Sequence, residues 1–222
     1  MWGDSVRNRV GCSISKEMFQ VGAGGHTIRE KLMAICKQYR KDNYMLKLQG
    51  RDLYLALLTR EDCKTLWNDF EYDFDHPTEE LNIGHSDEKA DGWFDEIQKL
   101  QGDKNVRLGI FLNDHTMIGD VALQDIDRGN RKCTVGMGIA KIQNRSKGYG
   151  KQALKLILQY GFVHLGMERI AADTLDVNVG AQKSLEQCGF VLEGRERNAV
   201  YFQEKMHDRL YYGMLKEEYK RS

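Results

Sequence analysis

Between Val106 and Lys141 the apolar residues fall on every second position, and this pattern limits the fold more than any other feature of the chain. Val106, Leu108, Ile110 and Leu112 alternate with other residues, and Asn113-Asp114 marks a hairpin turn. Met117 to Ile126 reads as the returning strand and Cys133 to Lys141 as a third. Three strands joined by short turns make an antiparallel meander. The period then changes. From Asn144 the chain reads NRSKGYGKQALKLILQYG, in which Leu154, Ile157, Leu158 and Phe162 share one helical face, and Arg169 to Leu175 follows as a strand. A meander followed by a single crossover helix is not the repeated strand-helix-strand pattern of a wound parallel sheet.

The flanking segments fit the same architecture. Leu53, Leu55 and Leu57 alternate as in a half-buried strand, and Thr59 and Asp62 cap a helix carrying Cys63, Leu66 and Trp67. A second helix runs from about Ser86 to Leu100. Downstream, a short helix covers about Val179 to Cys188, with Gly189 placed to end it, and Phe190 to Tyr201 and Arg209 to Leu215 read as the last strands. The expected fold is mixed α/β (α+β), a mostly antiparallel central sheet of about six to seven strands flanked by helices, spanning residues 45–222. Residues 1–44 read as an N-terminal extension. In it Thr27 and Glu30 pair in front of Ile28, Leu32, Ile35 and Tyr39 on one amphipathic helix. That helix suits packing on the main domain, contact in a homodimer, or a loose tag-like extension.

Composition narrows the partners. Among 222 residues, 33 Lys plus Arg balance 33 Asp plus Glu, so the basic excess that nucleic acids or anionic membranes demand is missing. Cys12, Cys36, Cys63, Cys133 and Cys188 are odd in number and contain no C-x-x-C pair, which reads as reduced structural thiols. The first residues lack the apolar stretch of a signal peptide, and no apolar run reaches the ~18 residues of a membrane span. A cytoplasmic protein is expected.

The glycines at the head of the crossover helix allow two readings. Gly148, Gly150 and Ala153 fit G-x-G-x-x-A, a dinucleotide fingerprint, but in that motif the strand ends at the first glycine. Here a polar connection, IQNRSK, intervenes after Lys141. The alternative frame is Arg145-Ser146-Lys147-Gly148-Tyr149-Gly150, R-x-x-G-x-G. Its main-chain N–H groups, with the helix N-terminus, would hold an anion, and Arg145 and Lys147 would add full charges.

This loop resembles the acetyl-CoA motif of the GNAT acyltransferases, [Q/R]-x-x-G-x-[G/A]. A second stretch, Asn178 to Phe190 followed by VLEG, is similar to the N-x-x-[SA]-…-G-F-x-x-E-G signature of one branch. That branch holds ribosomal-protein N-alpha-acetyltransferases, spermidine acetyltransferases and antibiotic-modifying enzymes. The resemblance covers about Leu46 to Tyr219. It implies acetyl-CoA as cosubstrate and an amine-bearing acceptor, either a small molecule such as a polyamine or a protein N-terminus. The main-chain amides of Arg145, Ser146, Lys147, Gly148, Tyr149 and Gly150 would bind the pyrophosphate. Gly138, Ile139 and Ala140, splayed from the next strand, would pair with the pantetheine arm. Asn178 would bond the pantetheine portion or a site water, and it also suits a helix N-cap.

For catalysis the resemblance leaves gaps. Many enzymes of the family place a tyrosine four residues before the G-F glycine as the thiolate acid, and the ribosomal-protein branch a serine three residues after the asparagine; Leu185 and Ala181 stand in those positions. Ser184, Glu193 and Asn178 are the candidate catalytic residues, with Asp208, Tyr201, Tyr211 and Tyr212 nearby; each also has a structural reading. Catalysis by positioning, with protons moving through water, fits the missing acids. A non-catalytic acyl-CoA-binding module and a dinucleotide-binding oxidoreductase are the rivals. The acidic loop Asp69 to Glu80 either attracts a cationic acceptor or is simply solvated. His76 and His85 match no compact metal-ligand set, so no metal is expected.

Overall fold

The computed structural model describes residues 46–73 and 86–219. The 1–44 extension with its amphipathic helix, the acidic loop from residue 74 onward, His76 and His85 lie outside the described residues.

The chain enters through a hairpin, β1 (Lys47–Gln49) and β2 (Leu53–Leu57), followed by α1 (Arg60–Asn68) and α2 (Asp87–Leu100). The meander is β3 (Val106–Leu112), β4 (Met117–Asp127) and β5 (Lys132–Ile139). A 3-10 turn at Ile142–Asn144 leads to α3 (Tyr149–Gln159), which continues as a π turn, Tyr160–His164. Then come β6 (Arg169–Leu175), α4 (Val179–Gln187), β7 (Val191–Phe202), β8 (Lys205–Leu215) and the single turn α5 (Lys216–Tyr219). The strands form one sheet in the order β1-β2-β3-β4-β5-β6-β8-β7. Every pairing is antiparallel except β5 with β6.

Among the described residues the sheet has eight strands, where six to seven were expected. The additional one, β1, has only three residues, too few to display an alternation; it exists because it pairs with β2 from Lys47↔Ala56 to Gln49↔Tyr54. β8 begins at Lys205 rather than Arg209, because Met206 and His207 extend to pair with Tyr201 and Val200. β2 is buried on both faces rather than one: Leu53 and Leu55 pack in the α3 core, and Tyr54 and Ala56 pack with Phe111 and Met117 on the other side.

Local chemistry sets the helix starts. Thr59 accepts from the Asp62 N–H while the Asp62 carboxylate accepts from the Thr59 N–H at 2.8 Å, the reciprocal box that opens α1. Ser86 caps α2 and Asn178 caps α4. Gly189, at φ +97°, lets the chain leave α4 in the left-handed region.

The main core lies between the sheet and α3. Ala153, Leu154, Ile157 and Leu158 meet Leu55, Leu108, Val121, Leu123 and Ile170 there. On the opposite face, α1 and α2 bring Cys63 and Ile97 against Leu58, with Trp93 and Phe94 alongside. Burial pushes the Cys63 and Cys133 thiols up to about 12, which keeps them protonated and inert. Ile157 is fully buried at the centre of the α3 contact. Ile157→Ala removes apolar contact and leaves a cavity, so it lowers unfolding free energy by about 2–5 kcal/mol in urea denaturation.

Candidate functional site

The site begins where the sheet parts. β5 and β6 pair in parallel only through Lys132↔Arg169, Cys133↔Ile170 and Thr134↔Ala171. Beyond that, β5 stays with β4 as far as Gly119↔Ile139, and β6 stays with β8 as far as Leu175↔Arg209. A wedge therefore opens between the C-terminal ends of β5 and β6, with main-chain groups along one wall.

Antiparallel alternation says which groups those are. The Ala140 N–H donates to the Ile118 carbonyl at 2.9 Å, so the Ala140 N–H and the main-chain groups of Gly138 and Gly136 face β4. Met137 and Ile139 direct theirs into the wedge. This corrects the expectation for Gly138 and Ala140: of Gly138, Ile139 and Ala140, only Ile139 presents main-chain groups to the gap, and Met137 joins it. The Ala140 carbonyl is also occupied, accepting from the Glu71 N–H at 3.0 Å.

The wedge leads to the glycine loop. Ser146 at φ 58° and Gly148 at φ 83° are both left-handed, which turns successive N–H groups toward one point. Among the described residues, no main-chain N–H from Ser146 to Lys151 donates within the protein. These are the unsatisfied donors of the α3 N-terminus. α1 and α2 carry acidic residues in their first turns, Glu61 and Asp62 in one and Asp87 and Glu88 in the other, whereas α3 carries none. No protein carboxylate in that first turn offsets its partial positive charge. Gly150 faces the wedge wall closely, since a Cβ there would stand 3.3 Å from Met137 Cε. The loop and the wedge are continuous, and their donor set fits an anionic group followed by an extended, amide-bearing arm.

Arg145 does not reach toward that anion. Its Nε donates to the Ile139 carbonyl at 3.1 Å, and its Nη2 to the Glu71 carbonyl at 2.7 Å and the Ala140 carbonyl at 3.2 Å. Its own N–H donates to the Ile142 carbonyl at 2.9 Å. The expected cradle is thereby shortened to Ser146, Lys147, Gly148, Tyr149 and Gly150, with Lys147 exposed as the side-chain cation. Arg145 instead ties the end of β5 to the 69–73 segment, where the Glu71 carboxylate also accepts from the Ile142 N–H at 2.8 Å.

The candidate catalytic residues are engaged elsewhere. Asn178 Oδ1 accepts from the Ala181 N–H at 3.0 Å, so its capping role is real and its amide nitrogen remains for another partner. The Ser184 hydroxyl donates to the Gly180 carbonyl at 2.8 Å along its own helix. Glu193 is gripped by Arg169, whose Nη1 lies 2.6 Å from Oε1. Arg169 stands opposite Lys132, at the end where β5 and β6 are still paired, so Glu193 is held away from the wedge. Asp208 accepts from the Asn198 N–H at 2.8 Å and from Arg195. Tyr211 donates to Glu196 at 2.6 Å and Tyr212 to Glu186 at 3.3 Å.

Two features at the site were missed in the sequence, the main-chain groups of Met137 and the buried pair of Asp120 and Arg107. The signals were present: strand parity for the first, and a lone charge inside the apolar run MIGDVAL for the second.

Residues 52–191 match the family model for the acetyltransferase (GNAT) domain. The chain belongs to the GNAT acetyltransferase family. Among relatives of this GNAT chain, Bacillus subtilis "Putative ribosomal N-acetyltransferase YdaF" is 32% identical over 108 residues, 49% of this chain and 58% of the relative. "Probable N-acetyltransferase YjcK" of the same organism is 34% identical over 105 residues, 46% of this chain and 58% of the relative. The matched segment thus spans somewhat over half the length of each. A solved structure of Vibrio cholerae spermidine N-acetyltransferase, in complex with CoA and spermine, superposes with a TM-score of 0.65 at 21% identity. It covers 77% of this chain and 99% of that one, and it shares the fold.

The ion pair of Arg169 with Glu193 sits on an exposed surface, where such pairs contribute little. Arg169 beside it holds the Glu193 carboxyl below the usual value, chiefly by hydrogen bonding. A depressed carboxyl stabilises the fold above its unfolded pKa and loses that effect as pH falls through its folded pKa. Glu193→Gln is therefore expected to cost under ~1 kcal/mol at pH 7 and to match the parent at an acid pH below the lowered folded-state pKa of the carboxyl, with CoA affinity unchanged throughout. Urea unfolding at both pH values and calorimetry with CoA check this.

Proposed function

We propose that this chain is an acetyl-CoA-dependent N-acetyltransferase acting on a primary amine in the cytoplasm. The observation that carries the reading is the parting of β5 from β6 into a loop of unsatisfied N–H groups at the α3 N-terminus. An extended cosubstrate with a pyrophosphate and an amide-bearing arm suits both halves at once. A dinucleotide is disfavoured, because the strand ends at Ile139, well before Gly148, and runs in a meander rather than a wound sheet.

Acetyl-CoA supplies an activated acyl group. In our reading the N–H groups of Ser146 to Gly150 hold the pyrophosphate, while Met137 and Ile139 hold the pantetheine arm as a neighbouring strand would. The Ile139 or Met137 N–H also serves as the donor for negative charge developing on the thioester oxygen. The amine nitrogen forms the new C–N bond, the C–S bond breaks, and the sulfur leaves with the electron pair. An alkylammonium, with a pKa of ~10, must first lose a proton, and the thiolate gains one. With Leu185 and Ala181 in the usual acid positions, and Ser184 and Glu193 engaged, both protons pass through water. Holding the two reactants together then supplies most of the acceleration.

Similarity to enzymes named for ribosomal and spermidine substrates supports a protein N-terminus or a polyamine as acceptor. We include a homodimer in the proposal only as the expectation attached to residues 1–44, to be checked by sedimentation of the full chain.

The same missing acids motivate a second reading, a module that binds acyl-CoA without turnover. Thiol release from acetyl-CoA across spermidine, a peptide with a free α-amine and ethylamine separates the two: turnover with any of them supports the enzyme, and tight CoA binding with no turnover on all three supports the module. Gly148→Asp sets charge and a Cβ at a left-handed position against the pyrophosphate. It is expected to raise the acetyl-CoA KM by about tenfold or more while the amine KM changes under about twofold; equal KM values in mutant and parent remove the loop from the site.

A further inference from the structure

One buried charge near the wedge has no part in holding the cosubstrate. Asp120 lies on β4, opposite Gly138 of β5, on the face that α1 and α2 cover rather than the α3 face. Its Oδ2 accepts from the Arg107 guanidinium of β3, and that guanidinium in turn lies over the Trp93 ring of α2. The side chain is 12% exposed. Among the described residues, Oδ1 receives no hydrogen bond. Arg107 takes Oδ2, whereas Oδ1 keeps some contact with solvent and is left to accept from a donor outside the chain.

The strand beside it is bare. Side chains on this face of β5 come from Thr134, Gly136 and Gly138, since Cys133 and Val135 point into the α3 core. The two glycines leave the β5 backbone uncovered, and both are partly exposed. A Cβ on Gly138 would stand 3.8 Å from Asp120 Oδ1, and one on Gly136 would stand 3.1 Å from Gln124 Oε1. The strip is therefore walled on its β4 side by two oxygen acceptors. Gly119 is required by the close approach of β4 to β5, because a Cβ there would fall 2.1 Å from the Gly138 carbonyl.

We propose that Asp120 is the acceptor-binding carboxylate of this enzyme, receiving the substrate's primary amino group over the bare strip at Gly136 and Gly138. The strip lies across β5 from the side on which Met137 and Val135 pack, and its far edge is the wedge in which the main-chain groups of Met137 and Ile139 stand. An amine resting on it has its nitrogen at Asp120 Oδ1 and the wedge within one strand spacing, ~4.8 Å. Arg107 fixes the carboxylate so that Oδ1, rather than Oδ2, meets the amine. The group recognised is an unhindered –NH3+ or –NH2, since the strip admits a slender chain and turns the acceptors Asp120 Oδ1 and Gln124 Oε1 toward it. Tertiary and quaternary amines, with fewer or no N–H donors, are rejected.

This inference rests on the acetyltransferase reading, and the experiment keeps the two apart. Ethylamine, trimethylamine and spermidine are titrated calorimetrically into the full chain saturated with CoA, and amine and acetyl-CoA KM values are measured alongside. In Asp120→Asn, the affinity and KM for ethylamine and spermidine weaken by about tenfold or more, CoA affinity stays within about twofold, and trimethylamine binds neither protein measurably. Should Asp120→Asn fail to fold by circular dichroism, Gly138→Ala decides, because its methyl makes an ordinary contact with Oδ1 and occupies the amine's place. It gives the same selective loss of amine binding. Turnover with unchanged amine affinity in the folded variants overturns the Asp120 assignment and leaves the acetyltransferase standing. Amine binding that depends on Asp120 in a chain without turnover supports the assignment and overturns the enzyme.

Discussion

The whole site depends on one discontinuity, the release of β6 from β5 after three paired residues. Parallel strands normally continue to exchange hydrogen bonds along their length, and an unpaired N–H or C=O in a protein interior is costly. Here β4 holds β5 and β8 holds β6, so each strand is satisfied on its outer side while the inner sides part. The Met137 main-chain groups and the Ile139 N–H, which lost β6 as a partner, are what an extended ligand can bond. In that sense the ligand's strand is already provided for in the sheet.

Two further devices keep the wedge open and directed. Arg145 spends its guanidinium on the carbonyls of Ile139, Ala140 and Glu71, which anchors the end of β5 and withdraws the Ile139 carbonyl from the gap. The left-handed residues Ser146 and Gly148 then turn the chain into α3 with its first N–H groups unpaired and no acid in the first turn. The arrangement favours an anion by geometry and partial charge, so a cation contributed by Arg145 is unnecessary. Below it, α3 is fixed to the sheet by Leu154, Ile157 and Leu158, so the loop is held by the main core.

Much of this was readable in the residues, for reasons that also explain the failures. The meander, the capped helices and Arg169–Leu175 follow from period and capping chemistry, which are local properties. β1 and the first residues of β8 are extended only because a partner strand is beside them, and nothing local announces that. The glycine loop was legible as a motif, but the fate of Arg145 was not, since its partners at Glu71 and Ala140 come together only in three dimensions. The same holds for Glu193, whose role is decided by Arg169 at a sequence distance of 24 residues. Parity turns Gly138 and the Ala140 N–H toward β4 instead of the gap, and the Ala140 carbonyl goes to Glu71 and Arg145.

The central claim is that the wedge and loop amides form one binding surface for coenzyme A. Amide hydrogen exchange on the full chain, with and without CoA, reads those groups directly. The account predicts strong slowing at Met137, Ile139 and Ser146 to Gly150 when CoA is added, with little change at Gly138 and Ala140, whose groups already bond within the sheet. Slowing elsewhere with these amides unaffected, or the same slowing produced by NADH and not by CoA, would contradict it.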